Sequence, residues 1–521
     1  MILPASKARK RYETLKAERQ PYLDRARECA KLTIPSLFPE EASTGNNSFP
    51  TPYQSIGSRG VNNLASRLLM SQLPSNAPFF RLKLSDFDYR VLGSEEERGK
   101  MDAALAIVER TALDEIENQA LRVPTFEGLR HLLVAGNSLL VYLPEGGARV
   151  FRLDRYVVKR DPMGNMLEAI THESVAPAAL KKDLLDAIQE SNTQTGEDAD
   201  DLSNQKTLDL YTHMRRNGNG WESYQEIRGG VVPGSRRTYP LDKCPWLPLR
   251  FTRVDGESYG RGLVEEYFGD LRSLETLTKA IVQGSAAAAK ILLLVRPNGA
   301  TKIREVREAP NGGVISGDAN DVTVLQLNKY ADFRVAKDLM AELEQRLAAA
   351  FLMNSSIQRD GERVTAEEIR FMAQELEGAL GGLYSILALE LQLPLVRLIL
   401  ANLERRKKIP ALPSDKVKPQ ITTGIEALGR GMELNRLAQF LRFLEPFGPE
   451  VLARELNLAD YIARVGANLG IDTAGLIKTP EQKAQEAQAA QQAQMQAGVM
   501  DVAGKAAPHI VKGMMNGEGQ Q

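Results

Sequence analysis

The sequence predicts an α+β fold, predominantly helical, on three observations. Apolar residues recur every three or four positions through most of the chain, most regularly between Ala331 and Arg405. Between Ser138 and Arg253 the period shortens to two, as strands require, with Gly, Pro, Asn and Asp at the breaks. After Thr479 the chain turns rich in Gln, Ala and Met and holds no aromatic residue, so this stretch cannot close a core and reads as a mobile tail.

Taken in order, Lys7 to Lys31 reads as a charged helix, and residues 1–31 carry nine Lys or Arg against four Asp or Glu. Two uses remain open for it: a solvated face, or an arm that meets a partner or nucleic acid. Pro35 and Pro39 enforce extended backbone after it. Helical spacing returns through Gly60, Leu64 and Leu68, again through Leu105, Val108, Leu113 and Ile116, and over Phe126 to Val134. Strands are predicted at 139–143, 150–153, 156–160, 167–173, 207–213, 222–227 and 247–253, with Asp161-Pro-Met-Gly-Asn165 as a hairpin turn. The polar stretch 189–206 has no apolar period and reads as an exposed loop.

Glu265 to Lys290 is predicted helical. Apolar runs 291–295 and 322–327 flank two Asn-Gly turns and make a small α/β insertion. A second helix carries Phe333, Ala336, Met340, Leu343, Leu347 and Phe351 on one face. It breaks at the polar run Asn354 to Arg363, after which Thr365 and Glu368 form a capping box. From there Ile369, Met372, Leu376, Leu380, Leu383, Leu387 and Leu391 make one stripe toward Arg405, roughly 60 Å of helix at about 1.5 Å per residue. Pro394 and Gly381-Gly382 are expected to bend it. Two helices joined by a charged loop suggest a spoke repeated around an axis. Short helices are expected at 434–445, 449–456 and 459–465.

Composition excludes several classes. The 521 residues include 66 basic and 67 acidic side chains, a formal charge of −1, so the whole chain is no strong polyanion binder and any nucleic acid is handled loosely or on a local patch. Two cysteines, Cys29 and Cys244, cannot build a zinc site or a disulfide framework by themselves. The apolar stretch 378–396 is interrupted by Glu390, which argues against a membrane span, and the charged first residues lack a signal-peptide run.

Catalysis finds little support. Gly256-Glu-Ser258-Tyr-Gly260 matches a nucleophile elbow, but the only histidine after Ser258 is His509, in the tail. His131, His172 and His213 lack metal-ligand spacing, and no phosphate-binding G-x-x-x-x-G-K-S/T occurs. A nuclease built from scattered carboxylates, a serine hydrolase using Ser258 and a helical scaffold unrelated to DNA stand as rival readings. No cofactor is expected.

Several long strings in fixed order resemble the portal proteins, or head-to-tail connectors, of short-tailed bacteriophages. They are Leu32-Thr-Ile-Pro-Ser-Leu-Phe-Pro39, Gly57 to Ser66, Tyr156 to Asp161, Asp255 to Leu274, Gly361 to Arg397 and Thr423 to Gly431. The resemblance spans most of 10–478 and omits 189–206 and the tail. It implies a ring of about a dozen subunits at one capsid vertex, with a wing at 1–263 and stem helices at 264–290 and 331–353. The clip would be 291–330, a tunnel loop 354–364, a long wing-to-crown helix 365–405 and a crown 406–478.

By the same resemblance the ring conducts double-stranded DNA in packaging and ejection. It docks the terminase large subunit and then a tail adaptor protein, and it meets the major capsid, scaffolding and internal core proteins, in the host cytoplasm during assembly and then in the virion. The loop would offer Asn354, Ser356, Gln358, Arg359 and Arg363. The channel lining would draw on Arg272, Lys279, Lys290, Arg334, Lys337, Glu342 and Arg346, and the clip would present Arg296, Asn298, Lys302, Arg304 and Arg307. Twelve helices about 10 Å apart enclose a bore of roughly 28 Å, enough for one duplex. The proposed stem holds eight acids against six bases, a wall without net positive charge that lets DNA slide.

Overall fold

The computed structural model describes residues 7–40, 48–74, 78–84, 95–143, 145–179, 207–288, 292–325, 330–353, 386–413 and 416–421, with a few more between 378 and 465. The chain divides into two units, Met1–Ile425 and Glu426–Gln521. In the second, residues 438–444 are helical, in line with the helix expected at 434–445.

Helix α1 (Ala8–Lys31) buries Tyr12, Leu15, Leu23 and Ala26 along one face. It also buries Arg19, whose Nη1 donates to the Asp154 and Tyr156 carbonyls at 2.9 and 3.0 Å. A buried cation is tolerated there because carbonyl oxygens replace its water. Helix α2 (Ile56–Gln72) buries Val61, Leu64 and Leu68, as its spacing required. Strand β1 (Phe80–Leu84) and helix α3 (Glu95–Asn118) follow.

Helix α4 (Arg122–Ala135) ends at Gly136, whose φ of +72° begins the turn into strand β2 (Asn137–Tyr142). A Cβ at Gly136 would lie 2.3 Å from the Arg261 carbonyl carbon, so only glycine lets the two segments meet. Strand β3 (Ala148–Phe151) pairs with β2, and strands β4 (Tyr156–Arg160) and β5 (Met166–Val175) form the hairpin predicted around Asp161. Strands β6 (Leu208–Asn217), β7 (Gly220–Ile227), β8 (Gly230–Val231) and β9 (Arg237–Pro240) extend it, with β9 pairing β7. Strand β10 (Trp246–Arg250) pairs β2, completing the antiparallel order β10-β2-β3.

The C-terminal half of the described chain returns to helix. Helix α5 (Leu263–Glu266) is separated from α6 (Phe268–Ala288) by a break at Tyr267, where a single helix had been predicted. Strand β11 (Leu292–Val295), helix α7 (Ile303–Glu308) and strand β12 (Val322–Leu325) make the small insertion, an antiparallel hairpin with a helix between its strands. Helix α8 (Tyr330–Ala350) follows. The described end of the expected long helix is a π-helical turn, Ala388–Gln392, leading into α9 (Leu393–Arg405). Just before Pro394, where a bend is expected, the turn is widened: Leu393 donates to the Ala388 carbonyl, five residues back.

Strand β13 (Val417–Ile421) pairs with β1, which sequence patterning missed. This strand lies within the stretch 406–478 that the resemblance reads as crown, and both it and its partner β1 belong to the first unit. The Thr365 capping box, Gly381-Gly382, the 189–206 loop and the tail lie outside the described residues.

One core cluster joins α1, α2, α3, α4, α6, α8 and α9 with both faces of the β10-β2-β3 sheet. A second, smaller cluster seals α1 onto the larger sheet through Tyr12, Leu15, Val157, Ile170, Tyr211 and Tyr224.

Candidate functional site: the paired helices and their insertion

Helices α6 and α8 pack antiparallel. Phe333, at the start of α8, lies against Gly284 near the end of α6, where a Cβ would come within 2.8 Å of its ring. At the other end Arg346 Nη2 donates to Asp270 Oδ1 at 3.4 Å. That foot is set in the core: Leu271, Leu274, Leu343, Leu347 and Phe351 are all buried. Phe351 fits onto Gly60 of α2, where an added Cβ would be 2.4 Å from the ring. Leu352 ends α8 at a φ of +52°, and Asn63 Nδ2 donates to the Phe351 and Leu352 carbonyls. Glu275 clasps the preceding loop, accepting the backbone N–H of Tyr53 and Gln54 at 3.0 and 3.1 Å.

Away from the foot the cover ends. Val335 is 70% exposed, Val282 49% and Leu339 45%. Of the apolar stripe read from the sequence, Phe333 lies against α6, Leu343 and Leu347 are buried, and Phe351 packs on α2. The exposed valine and leucine form a second stripe, with Val335, Leu339, Glu342 and Arg346 at spacings of four, three and four.

Arg334 and Lys337 stand on the other flank of α8. The four channel candidates on α8 are therefore not gathered on one surface. Arg272, Arg334, Lys337, Glu342 and Arg346 are exposed, and Lys279 sits 5.9 Å over the Tyr53 ring. Lys290 lies outside the described residues, as do Asn354, Ser356, Gln358, Arg359 and Arg363 of the loop.

On the insertion, Arg296, Asn298, Lys302, Arg304 and Arg307 are all exposed. Three of them are partly neutralised at home: Lys302 by Glu305 at 3.4 Å, and Arg304 and Arg307 by Glu308 at 3.1 and 3.8 Å. The insertion is pinned by Asp321, whose carboxylate accepts the Thr301 N–H at 3.2 Å and leaves Gly299 no room for a side chain. Sequence reasoning missed its apolar surface. Val314 is 99% exposed and Ile303 63%, and the only signal was a Val-Ile pair within a run of Gly, Asn and Ser.

The catalytic rivals gain nothing from the geometry. Ser258 Oγ accepts the Arg160 backbone N–H at 3.4 Å. Its motif is held by Asn137, which bonds the Gly260 N–H and carbonyl at 2.8 and 2.9 Å. Gly260 is needed because a Cβ would press on the Gly136 and Thr252 carbonyls at 2.8 and 2.9 Å.

His131 is a core residue edge-on to Phe38, and His213 bridges Glu168 and Tyr224 at 3.2 and 3.0 Å. Burial pushes the free thiols of Cys29 and Cys244 up to about 12, away from nucleophilic use. Among the described residues no group of His, Cys, Asp or Glu is placed to hold a metal ion.

A profile of the family described as bacteriophage head to tail connecting protein matches residues 5–477. The chain belongs to that family. It is a connector of phage head and tail, and the match takes in the sheets, the helix pair and the insertion. Similar relatives include the portal protein of Escherichia phage T7, 44% identical over 484 residues, covering 91% of this chain and 89% of that protein. The portal protein of Enterobacteria phage T3 is 43% identical over the same shares, and that of Enterobacteria phage SP6 is 32% identical over 97% of this chain and 96% of its own. Among solved structures, the neck of an empty gene transfer agent particle is similar at a TM-score of 0.36 and 12% identity, over 80% of this chain and 90% of that one. That structure is too distant to add to the family match. No helix among the connector's described residues is long and apolar enough to cross a membrane.

Proposed function

We propose that copies of this connector close into a ring, of about twelve subunits, that conducts double-stranded DNA into and out of the phage head. The observation that carries this reading is the helix pair: its foot is buried in the core, while Val282, Val335 and Leu339 are left without cover in the single chain. Exposed apolar side chains in a row mark a protein contact, and a second copy is the simplest occupant for a repeated spoke.

In this reading residues 1–263 are the wing, 264–290 and 331–353 the stem, which hold α6 and most of α8, and 291–330 the clip. Residues 354–364 form the tunnel loop, 365–405 the helix back through the wing, and 406–478 the crown. The clip, with exposed Arg296, Asn298, Lys302 and Val314, takes the terminase large subunit and later the tail adaptor. The ring sits at one capsid vertex among capsid, scaffolding and core proteins. Its work is structural, with ATP hydrolysis left to the terminase.

The loop residues Asn354, Ser356, Gln358, Arg359 and Arg363 touch phosphates in passing. Where acids such as Glu342 interrupt the bases along the stem, no cumulative counterion release holds the duplex still. Electron microscopy of the purified full chain tests the ring. Closed rings with a central hole large enough for one duplex are expected; a monomer, or open and variable oligomers, overturns it.

A further inference from the structure

The larger sheet carries a feature that needs only one chain and so stands apart from the ring. We infer that this protein holds the phosphate backbone of duplex DNA in a groove between the start of α1 and the β7–β8 turn. The groove has a volume of about 360 Å³ and is lined by four cations, Lys7, Arg9, Lys10 and Arg228, against two carboxylates, Glu13 and Glu226. One of the two carboxylates is already engaged: Glu226 accepts the backbone N–H of Ala8 and Arg9, capping the helix.

Most other cations of α1 are committed elsewhere. Arg11 pairs with Glu168, Arg25 with Glu265 at 3.5 Å and Lys31 with Glu28 at 2.9 Å, while Arg19 is buried on backbone carbonyls. Lys7, Arg9, Lys10 and Arg228 form no ion pair among the described residues. The chain as a whole is charge-balanced, yet here the balance tips to the basic side.

The backbone adds an independent sign. Arg228 has a φ of +49° and Gly229 a φ of +82°, in a two-residue turn between antiparallel strands. Positive φ at both positions is the hairpin geometry that Asn-Gly fills most readily, and an arginine there carries the Cβ strain of the left-handed region. Lys7 reaches across to the same turn, its Nζ 3.0 Å from where a Gly229 Cβ would lie. An arginine kept in a strained position at the rim of a basic groove points to use of its side chain. The four cations stand on the surface of one helix and one turn, which suits successive phosphates of a polymer better than one enclosed anion. Each phosphate neutralised would release condensed counterions.

The test is binding of a short random-sequence duplex to the full-length protein over a series of salt concentrations. The double variant Arg9→Gln/Lys10→Gln is expected to reduce the slope of log affinity against log salt by about two, as two lost phosphate contacts require. Arg228→Asn is expected to reduce it by about one while raising the thermal unfolding midpoint, because it installs the preferred turn sequence.

An unchanged slope in the double variant overturns the proposal, as does an Arg228→Asn protein that is less stable. If the variants change binding of polyglutamate but not of duplex, the groove serves an acidic protein and the assignment fails. It fails equally if only inorganic phosphate responds. Ring formation by the same variants, seen by electron microscopy, is expected to be normal and keeps this result separate from the ring reading.

Discussion

Gly60 and Phe351 set the tolerance of the foot of the helix pair. A methyl group at Gly60 would sit 2.4 Å from the ring of Phe351, which is fully buried in the core cluster. Gly60→Ala is expected to cost about 1–3 kcal/mol, the range for overpacking a filled core, measured by denaturant unfolding; a neutral change would mean the ring has somewhere else to go. At the other cluster, burial pushes the Glu168 carboxyl up, but hydrogen bonds from His213 and Arg11 and their charges outweigh it, so the group titrates below the usual carboxylate range. Its stabilisation is therefore complete above the unfolded carboxyl pKa and fades as pH falls through the lower folded one. Glu168→Gln is expected to destabilise the protein at neutral pH and to flatten the acid limb of stability against pH. An unaltered limb would show that other carboxylates dominate acid unfolding.

Elements were legible in the sequence where a local pattern specified them. The stripe Phe333 to Phe351 needed only spacing, and the β4–β5 hairpin needed only its Asp-Pro-Met-Gly-Asn turn. The β1–β13 pair was hidden because its strands lie at distant points of the chain, each is short and mixed with lysine, and Pro419 argues against a strand. Site residues were legible by type but not by direction: all seven channel candidates are charged, yet Arg334 and Lys337 flank α8 on one side and Glu342 and Arg346 on the other.

The π-turn could not be read at all, since it answers to a tertiary contact. Glu390, within it, accepts from Arg250 Nη2 at 3.0 Å, and Gln392 Nε2 donates to the Gln72 carbonyl at 2.6 Å. Arg250 is only 3% exposed at its side chain, so Glu390→Leu would leave a buried cation without its carboxylate. A loss of about 3–5 kcal/mol is expected, with faster hydrogen exchange over 386–392. Protection equal to the parent would remove this pair as the cause of the widened turn.

At the scale of the whole molecule, assembly and conduction can be separated by where a change falls. Val335 and Leu339 touch solvent in the single chain, so Val335→Glu/Leu339→Glu should leave unfolding of the chain within about 0.5 kcal/mol of the parent, as surface changes do. The same charges, buried without partners between two stems, would oppose assembly. Loss of rings with retained fold is the expected pair of results, and intact rings would place the subunit contact elsewhere.

The loop makes the complementary experiment. The end of α8 is held by Leu347, by Phe351 on Gly60 and by the Asn63 amide, contacts made by residues outside 356–362. Deleting Ser356 to Glu362 should therefore spare folding and ring formation while removing Gln358 and Arg359, the residues proposed to meet the duplex, so that packaging or retention of DNA is impaired. Heads filled and infectious at the parental yield would deny the loop any part in gating, while leaving the proposed role of the helix pair untouched.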